Sequence, residues 1–341
     1  MSPPTYGRGW HAHERAQFID VVQAELSSLG GRFRASGEPD WARLIVESLD
    51  ACLMTGEPAL LVDALRQVRD RSASAGGVGI EQAMMGPVWG VLETVLPADM
   101  KQAAMSWVGE ALAAAGSAPE VPSPTGAAGE YLDLVLGPDR EGAMRLVKSL
   151  LADGMDVGSL LVDVLEVAQH EVGRQWQLGR LSWVKEHYCT AITQRALSEV
   201  YERLFAAPSD GRRLLAIHAP GDGHRLGLRM VVDLLQYEGW TTTYSTDRHE
   251  PGRLPDLLSA SRADLLAISA SGAGQIPAVA DLVEGVKSDP RTHDIPVLVG
   301  GRPFTIDSLL VAAVGADATA WDARHAITVC AELTGGRSAG R

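Results

Sequence analysis

The chain has 341 residues, of which 46% are hydrophobic, and this length is enough for two or three domains with buried cores. Its formal net charge of −13 argues against a broad nucleic-acid interface, because such interfaces are built from clustered Lys and Arg. The N-terminal sequence lacks the apolar core of a secretory signal, and no run of about 18 apolar residues is present, which predicts a cytoplasmic protein without a membrane segment. Three widely spaced cysteines, Cys52, Cys189 and Cys330, predict buried thiols rather than a disulfide framework or a structural zinc site.

Helical periodicity dominates the first third of the chain. Apolar residues recur there at three- and four-residue steps, as in AQFIDVVQAELSSL and PALLVDALRQVRD. We therefore predict an all-α domain over residues 1–116. The following segment, GSAPEVPSPTGAAGE, is rich in Pro, Gly, Ser and Ala, which is typical of a connection between domains, and it predicts a linker over 117–130.

Two further regions follow this linker. Residues 131–206 contain four helical segments, which predict a four-helix bundle. After residue 212 the period changes, and the short β-rich runs RLLAIHA, TTTYST, DLLAISAS and IPVLVGG alternate with helical segments. The fold class expected for the chain is therefore α plus α/β, with a doubly wound, flavodoxin-like parallel sheet over 212–335.

Polar residues and glycines lie at the ends of the predicted strands. A loop histidine alone is more often a solvated surface residue, and a Gly-Gly pair is usually a simple turn. In open α/β sheets, however, ligands bind at the carboxyl ends of the strands, so features at three such ends indicate one shared site. These residues are Asp222, His224 and Gly227 after the first strand, Ser269 and Ser271 at the third, and Gly300 and Gly301 at the fourth.

The pattern Asp222-x-His224-x-x-Gly227, followed by Ser269 and a Gly-Gly pair, resembles the signature of cobalamin-binding domains. The resemblance covers about residues 212–333. It implies that His224 replaces the cofactor's own dimethylbenzimidazole as the lower cobalt ligand, and that the displaced nucleotide tail inserts beside the serine and the two glycines.

The chemistry of the two polar residues agrees with that role. A neutral imidazole is a good metal donor, and a carboxylate that accepts its other N–H fixes the tautomer and raises its basicity, which is the part implied for Asp222. Ser271 departs from the family, which usually has leucine at this position.

A second motif lies in the last hairpin of the predicted bundle. Gly179 is expected to end one helix and Ser182 to cap the next, which brings Glu186 and His187 back to the level of Trp176. The spacing Trp176-x9-Glu186-His187 resembles a motif of adenosylcobalamin-dependent photoreceptors. It implies that Trp176 and Glu186 shape the pocket for the 5′-deoxyadenosyl group, with His187 beside it. The structural alternative is a capping glutamate and a core tryptophan.

The residue after Trp176 departs from the photoreceptor family. In the best-known members a histidine at this position becomes an upper cobalt ligand after illumination, whereas this chain has Gln177. His170 and His187 are the nearby substitutes, and water on cobalt is the alternative. Those relatives also carry a DNA-binding helix-turn-helix domain, but the N-terminal region here has no basic recognition helix.

The extra N-terminal domain has two interpretations. One is a dimerisation or partner-binding module. The other rests on layout, which is similar to that of photocobilins, cobalamin photoreceptors that also bind the linear tetrapyrrole biliverdin. Methionine and tryptophan at helical spacing are more often core residues than chromophore contacts. The candidate contacts are Trp10, His11, His13, Met84, Met85, Trp89, Met105 and Trp107.

Three functions of different classes follow. The first is a non-enzymatic light sensor that uses adenosylcobalamin, with or without biliverdin, and signals through a change in oligomeric state or a separate protein partner. The second is a corrinoid carrier in methyl transfer, which would need the lower histidine but no adenosyl pocket. The third is a degenerate cobalamin fold that serves only as an interaction module.

Overall fold

The computed structural model describes residues 41–74, 98–114, 121–204 and 208–335, with the single positions 20, 24 and 89. The helices before the sheet are α1 (Trp41–Thr55), α2 (Ala59–Ser74), α3 (Ala98–Ala114), α4 (Gly126–Leu136), α5 (Arg140–Ala152), α6 (Val157–Ser159), a π-helical segment (Leu160–Glu166), α7 (Val167–Gln177) and α8 (Trp183–Leu204). The sheet region contains β1 (Arg213–His218), α9 (Leu226–Tyr237), β2 (Thr241–Ser245), α10 (Leu254–Ser261), β3 (Leu265–Ser269), α11 (Ile276–Ser288), β4 (Val297–Gly300), α12 (Arg302–Ile306), α13 (Leu309–Ala313), β5 (Ala318–Ala320) and α14 (Ala323–Thr334).

The sheet is parallel and has the strand order β2-β1-β3-β4-β5. This order confirms the predicted flavodoxin-like arrangement, in which the strand order reverses between β1 and β3 and ligands bind at the carboxyl ends there. The sequence predicted four strands, and the structure adds β5. This strand has only three residues, Ala-Thr-Ala, all half-buried, so it lacks the hydrophobic run that marked the other strands.

The four-helix bundle is built by α4, α5, the continuous stretch from α6 to α7, and α8. Its core contains fully buried residues such as Tyr131, Leu160 and Val200, and it continues onto Met230 of α9 and Ala323 of α14. The bundle therefore packs against the helices on one face of the sheet. Its first helix begins at Gly126, inside the predicted linker, because the small residues there form a helical turn whose Ala128 is buried.

The N-terminal helices share the hydrophobic core on the other face of the sheet. Their buried residues, including Ile45, Leu49 and Leu61, belong to the same hydrophobic cluster as Ile217 and Ile268 of the sheet. The helices α1, α2 and α3 and the α/β region thus share one core.

Several predicted features can be located in this fold. Cys52, Cys189 and Cys330 are free and buried, as predicted. Trp107 is buried in the core that α3 shares with the sheet, and Trp89 packs against it, which agrees with the core interpretation of these two side chains. Within the described ranges, no helix is long and apolar enough to cross a membrane. The candidate bilin contacts Trp10, His11, His13, Met84 and Met85 lie outside the described residues.

Candidate functional site

The loop after β1 is tied to the loop after β3 by Asp222. Its Oδ1 accepts from the backbone N–H of His224 at 2.9 Å and from Ser271 Oγ at 2.7 Å, and its Oδ2 accepts from the Ser271 N–H at 2.9 Å. The Asp222 side chain is completely buried. Burial alone would raise the pKa of this carboxyl, but the hydrogen bonds from His224 and Ser271 outweigh it and hold the pKa below its usual range. Asp222 is therefore a buried carboxylate that fixes the geometry of both loops.

The imidazole of His224 has one nitrogen engaged and one free. Nδ1 lies 2.8 Å from Ser271 Oγ and 3.3 Å from Asp222 Oδ1. A carboxylate only accepts hydrogen bonds, so the serine proton goes to Asp222 and Ser271 Oγ accepts from Nδ1–H. This leaves a lone pair on Nε2, for which no partner is found among the described residues, on a side chain that is 71% exposed. His224 thus has the tautomer and the exposure that a metal-ligating histidine needs.

Two carboxylates, Asp222 and Glu186, raise the pKa of His224. The hydrogen bond to Asp222 raises the pKa of the imidazole, burial opposes this shift, and the charge of Glu186 raises it further. Glu186 belongs to the bundle, so its effect places the predicted upper residue within electrostatic range of the predicted lower one. The hairpin therefore lies near the strand ends, and we call the space between them the cleft.

Ser271 is a site residue whose role the sequence did not reveal. The family pattern indicated only that it stands in place of leucine. In the structure its hydroxyl links His224 to Asp222, and its N–H also donates to Gln275 Oε1 at 2.8 Å. The signal that could have found it is its position two residues beyond a strand that neighbours β1.

The glycines at the strand ends differ in what requires them. Gly301 has φ +102°, and a Cβ there would lie 2.0 Å from the carbonyl oxygen of Ala270. A Cβ on Gly300 would lie 3.7 Å from the nearest atom, the carbonyl oxygen of Ala320, which is ordinary contact, and one on Gly227 would meet nothing within 4 Å. Folding therefore requires glycine at 301, whereas at 300 and 227 the missing side chain leaves free space. Ser269 pairs with Gly300 in the sheet, so both line the same edge.

The hairpin of the bundle has the predicted local structure. Gly179 adopts φ +70° after the end of α7, and Ser182 Oγ accepts from the N–H of Lys185 at 3.2 Å at the start of α8. Glu186 Oε2 lies 2.6 Å from His187 Nδ1, and Glu186 Oε1 accepts from Thr190 Oγ1 at 3.0 Å. The two residues of the Glu-His pair contact each other directly.

Trp176 carries an unsatisfied donor. Its Nε1 is buried and finds no acceptor in the part of the chain that the structure describes. A buried N–H without a partner costs free energy, so this atom is one that a bound ligand or water would satisfy. His170, about one and a half helical turns earlier, lies within range of the charges of Arg302 and Asp322, which follow β4 and β5 at the carboxyl edge of the sheet.

The N-terminal helix α2 borders the same cleft, which the sequence did not indicate. Arg71 is buried, and its Nη1 donates to the backbone carbonyl of Trp176 at 3.1 Å while its guanidinium lies 5.6 Å from the centre of the indole ring. Asp63, on the same helix, forms an ion pair with Arg302 at 2.6 Å. One helix therefore contacts both the hairpin and the loop after β4.

Comparison with known families agrees with the site. A family model described as B12 binding domain matches residues 212–330, which contain the His224 loop, and a second model with the same description matches residues 128–201, which cover nearly all of the bundle. The chain is a cobalamin-binding protein. The residues present fit such a cofactor, because His224 offers a free Nε2 above a buried carboxylate, and the Gly300 and Gly227 positions leave room beside it.

Two relatives place this cobalamin-binding protein in context. It is 30% identical over 122 residues to the HTH-type transcriptional repressor CarA of Myxococcus xanthus, a match that covers 36% of this chain and 41% of that protein. The chain thus matches less than half the length of this curated relative. In the solved structure of the monomethylamine corrinoid protein of Methanosarcina barkeri, 96% of that chain aligns with 60% of this one, with a TM-score of 0.54 and 20% identity. The second likeness shows that the fold is shared.

Proposed function

We propose that this cobalamin-binding protein is a light sensor that holds adenosylcobalamin between the hairpin of the bundle and the strand ends. The observation that carries the proposal is the placement of Trp176, Glu186 and His187 on the hairpin, with Glu186 close enough to His224 to affect its pKa. A methyl carrier needs the lower histidine but has no use for a tryptophan and a carboxylate on the opposite side of the cleft. Adenosylcobalamin would supply a cobalt–carbon bond that visible light breaks.

Each residue of the cleft has a part in this proposal. His224 holds cobalt through Nε2, Asp222 and Ser271 fix its ring, and the space at Gly227, Ser269, Gly300 and next to Gly301 receives the nucleotide tail. On the hairpin, Glu186 would accept from the ribose hydroxyls of the bound cofactor, and Trp176 would pack against its adenosyl group. His187 orients Glu186 through the 2.6 Å contact.

The proposed signal is a conformational change caused by losing the contacts between the adenosyl group and the hairpin. A ligand shifts a conformational equilibrium only by the difference in its free energy of binding to the two states. Loss of a few hydrogen bonds and one aromatic contact amounts to roughly 2–4 kcal/mol, which is enough to reverse a modest bias between two positions of the bundle. Gln177 cannot ligate cobalt as a histidine would, so we expect a smaller or more reversible change than in photoreceptors with that histidine.

The proposal is tested by cofactor preference and illumination. Purified protein should bind adenosylcobalamin more tightly than methylcobalamin, and its absorption spectrum should change under green light. Trp176→Ala should reduce the preference, because the upper pocket loses its aromatic wall. If wild-type protein instead prefers methylcobalamin and exchanges methyl with a corrinoid methyltransferase, the carrier function is the correct one.

The output is proposed as a change in oligomeric state or in binding to a separate protein, without direct nucleic-acid contact. Size-exclusion chromatography with light scattering, in the dark and after green light, on wild type and Gln177→His, should show the change. Identical mass and elution volume in all four samples, despite photolysis, would exclude a quaternary output. Biliverdin binding by the N-terminal region and a cytoplasmic location are further parts of the proposal. A red-region absorption band in protein made with biliverdin would support the bilin.

A further inference from the structure

One oxygen of the Glu186 carboxylate is held by a single hydroxyl group, that of Thr190. Thr190 Oγ1 lies 3.0 Å from Glu186 Oε1 and 3.3 Å from Gln169 Oε1, and both of these oxygens are acceptors. A threonine hydroxyl has one proton, so it can satisfy only one of the two at a time. Thr190 therefore stands between two acceptors that compete for the same hydrogen bond.

The second acceptor belongs to a polar chain that runs into the core of the bundle. Gln169 Nε2 donates to Thr193 Oγ1 at 2.6 Å and to the carbonyl of Cys189 at 3.3 Å, which fixes the orientation of its amide so that Oε1 faces Thr190. Thr193 Oγ1 is in turn 3.0 Å from the hydroxyl of Tyr131, a completely buried residue of α4. Burial raises the pKa of Tyr131 to about 12, so its hydroxyl stays protonated.

The other oxygen of Glu186 is held only by its neighbour. Oε2 contacts His187 Nδ1, but that nitrogen also lies 3.1 Å from the carbonyl of Trp183, so its single proton is shared as well. No backbone N–H is found donating to Glu186 in the described part of the chain. Its orientation therefore depends on side chains, of which Thr190 is the one anchored to the bundle core.

We propose that Thr190 is a positioning residue that sets the orientation of Glu186 and thereby the preference of the upper face for the adenosyl group. This inference rests on the proposed function and adds to it the residue that determines specificity. With its proton on Glu186 Oε1, Thr190 holds the carboxylate in one rotamer, ready to accept from ribose hydroxyls. With its proton on Gln169, the carboxylate is released, so the polar chain to Tyr131 responds to how Glu186 is engaged.

The test uses a variant that keeps the shape of the side chain. Thr190→Val removes the hydroxyl, and we expect the ratio of methylcobalamin to adenosylcobalamin dissociation constants, measured in the dark by spectroscopic titration, to fall about tenfold. Thr190→Ser keeps the hydroxyl and should restore the ratio. Methylcobalamin affinity itself should change little, which separates a specific effect on Glu186 from general damage to the fold.

The matched control is Ser198→Ala on the same helix, where an exposed hydroxyl donates to the carbonyl of Gln194 at 3.0 Å. It should leave the ratio unchanged. If Thr190→Val does not fold, Thr190→Ala replaces it. An unchanged ratio in a folded Thr190 variant, with a wild type that prefers adenosylcobalamin, would overturn the role of Thr190 and leave the photoreceptor proposal standing. A wild type without that preference would refute the proposed function itself.

Discussion

The protein carries two carboxylate–imidazole pairs on opposite sides of one cleft, and they are built differently. In the lower pair, Asp222 is completely buried and accepts from two backbone N–H groups, while the imidazole of His224 is 71% exposed. In the upper pair, Glu186 is 19% exposed, and the donors found for it are the side chains of His187 and Thr190. Backbone donors at strand ends cannot rotate away, whereas side-chain donors on a helix can.

The difference separates a permanent site from an adjustable one. The lower pair is fixed by the loops at the strand ends, which suits the role proposed for His224, because a cobalt ligand would have to stay in place in every state of the protein. The upper pair changes its hydrogen bonds by side-chain rotation alone, which suits a contact that is made and lost with the upper ligand. The following changes test the lower pair, the strand end beside it and the contact between bundle and sheet.

The largest effect is expected at the lower pair. His224→Ala removes the proposed cobalt donor, and we expect cobalamin affinity to fall by at least about 100-fold. Asp222→Asn keeps the shape but weakens the acceptor behind the imidazole, with an expected loss of about 10- to 100-fold. Electron paramagnetic resonance of the chemically reduced complex with ¹⁵N-histidine would show whether a protein imidazole is bound.

His293→Ala is the control for this prediction. His293 is an exposed loop histidine whose Nδ1 contacts the carbonyl of Pro290 at 3.1 Å, and it precedes β4, at the amino ends of the strands rather than the carboxyl ends. It should bind cobalamin as wild type does. A nitrogen coupling that persists unchanged in His224→Ala would remove His224 from the site.

The two glycines after β4 should respond in opposite ways. Gly301→Ala combines a positive φ with a 2.0 Å approach to Ala270, and we expect it to reduce the free energy of unfolding by about 3 kcal/mol. Gly300→Ala meets only ordinary contact and should cost less than about 1 kcal/mol, yet weaken cobalamin binding because its methyl group enters the space for the tail. Urea unfolding and cofactor titration on both variants measure this. A Gly300→Ala protein that binds normally would show that the tail lies elsewhere.

The smallest effect concerns the contact between bundle and sheet. The side chain of Glu166 is 13% exposed and packs against the start of α14, where its carboxylate accepts from the N–H of Ala323 at 3.3 Å, and desolvation raises its pKa from 4.5 to about 7. Asp163, Asp322 and Arg324 surround it, and His170 lies 4.0 Å away. Because the folded state holds this proton more tightly than the unfolded state, the protein loses stability as the pH rises from about 4.5 through 7.

Glu166→Gln should remove that loss. We expect the variant to exceed wild type in unfolding free energy by about 1–3 kcal/mol at pH 8 and to match it near pH 4.5. Chemical denaturation of the cofactor-free protein across this range is the measurement, with Glu238→Gln at the exposed end of α9 as the control. A difference that is the same at both pH values would mean that Glu166 does not titrate there.

Local spacing was enough to predict much of the fold and the placement of the residues proposed for the lower site. Asp222 and His224 lie two residues apart in one loop, and the α/β pattern brings the loops after β1, β3 and β4 to one edge. The part played by Ser271 could not be predicted, because it depends on a 2.7 Å approach between residues 49 positions apart. The contact of Arg71 with Trp176 could not be predicted for the same reason, because the two residues are 105 positions apart.

Two features of the fold, the start of α4 and the strand β5, were not predicted, because local composition there does not reflect the tertiary packing. The composition of the segment after residue 116, rich in Gly and Ala, predicts a linker. The same small residues also allow close packing of a helix, and α4 begins at Gly126 within this segment. The strand β5 was missed because Ala-Thr-Ala has no strong β pattern and is specified by pairing with β4. Both cases are decided by tertiary contacts rather than by local preference.

The helix α2 has a mechanical consequence for any motion of the cleft. Its two anchors, Asp63 on Arg302 and Arg71 on Trp176, are eight residues apart, which corresponds to about 12 Å along a helix axis. A helix of about two turns keeps nearly the same length when its surroundings move. We therefore expect that moving the hairpin away from the carboxyl end of β4 strains or breaks one of these two contacts, so that the larger separations are reached only after a contact is lost.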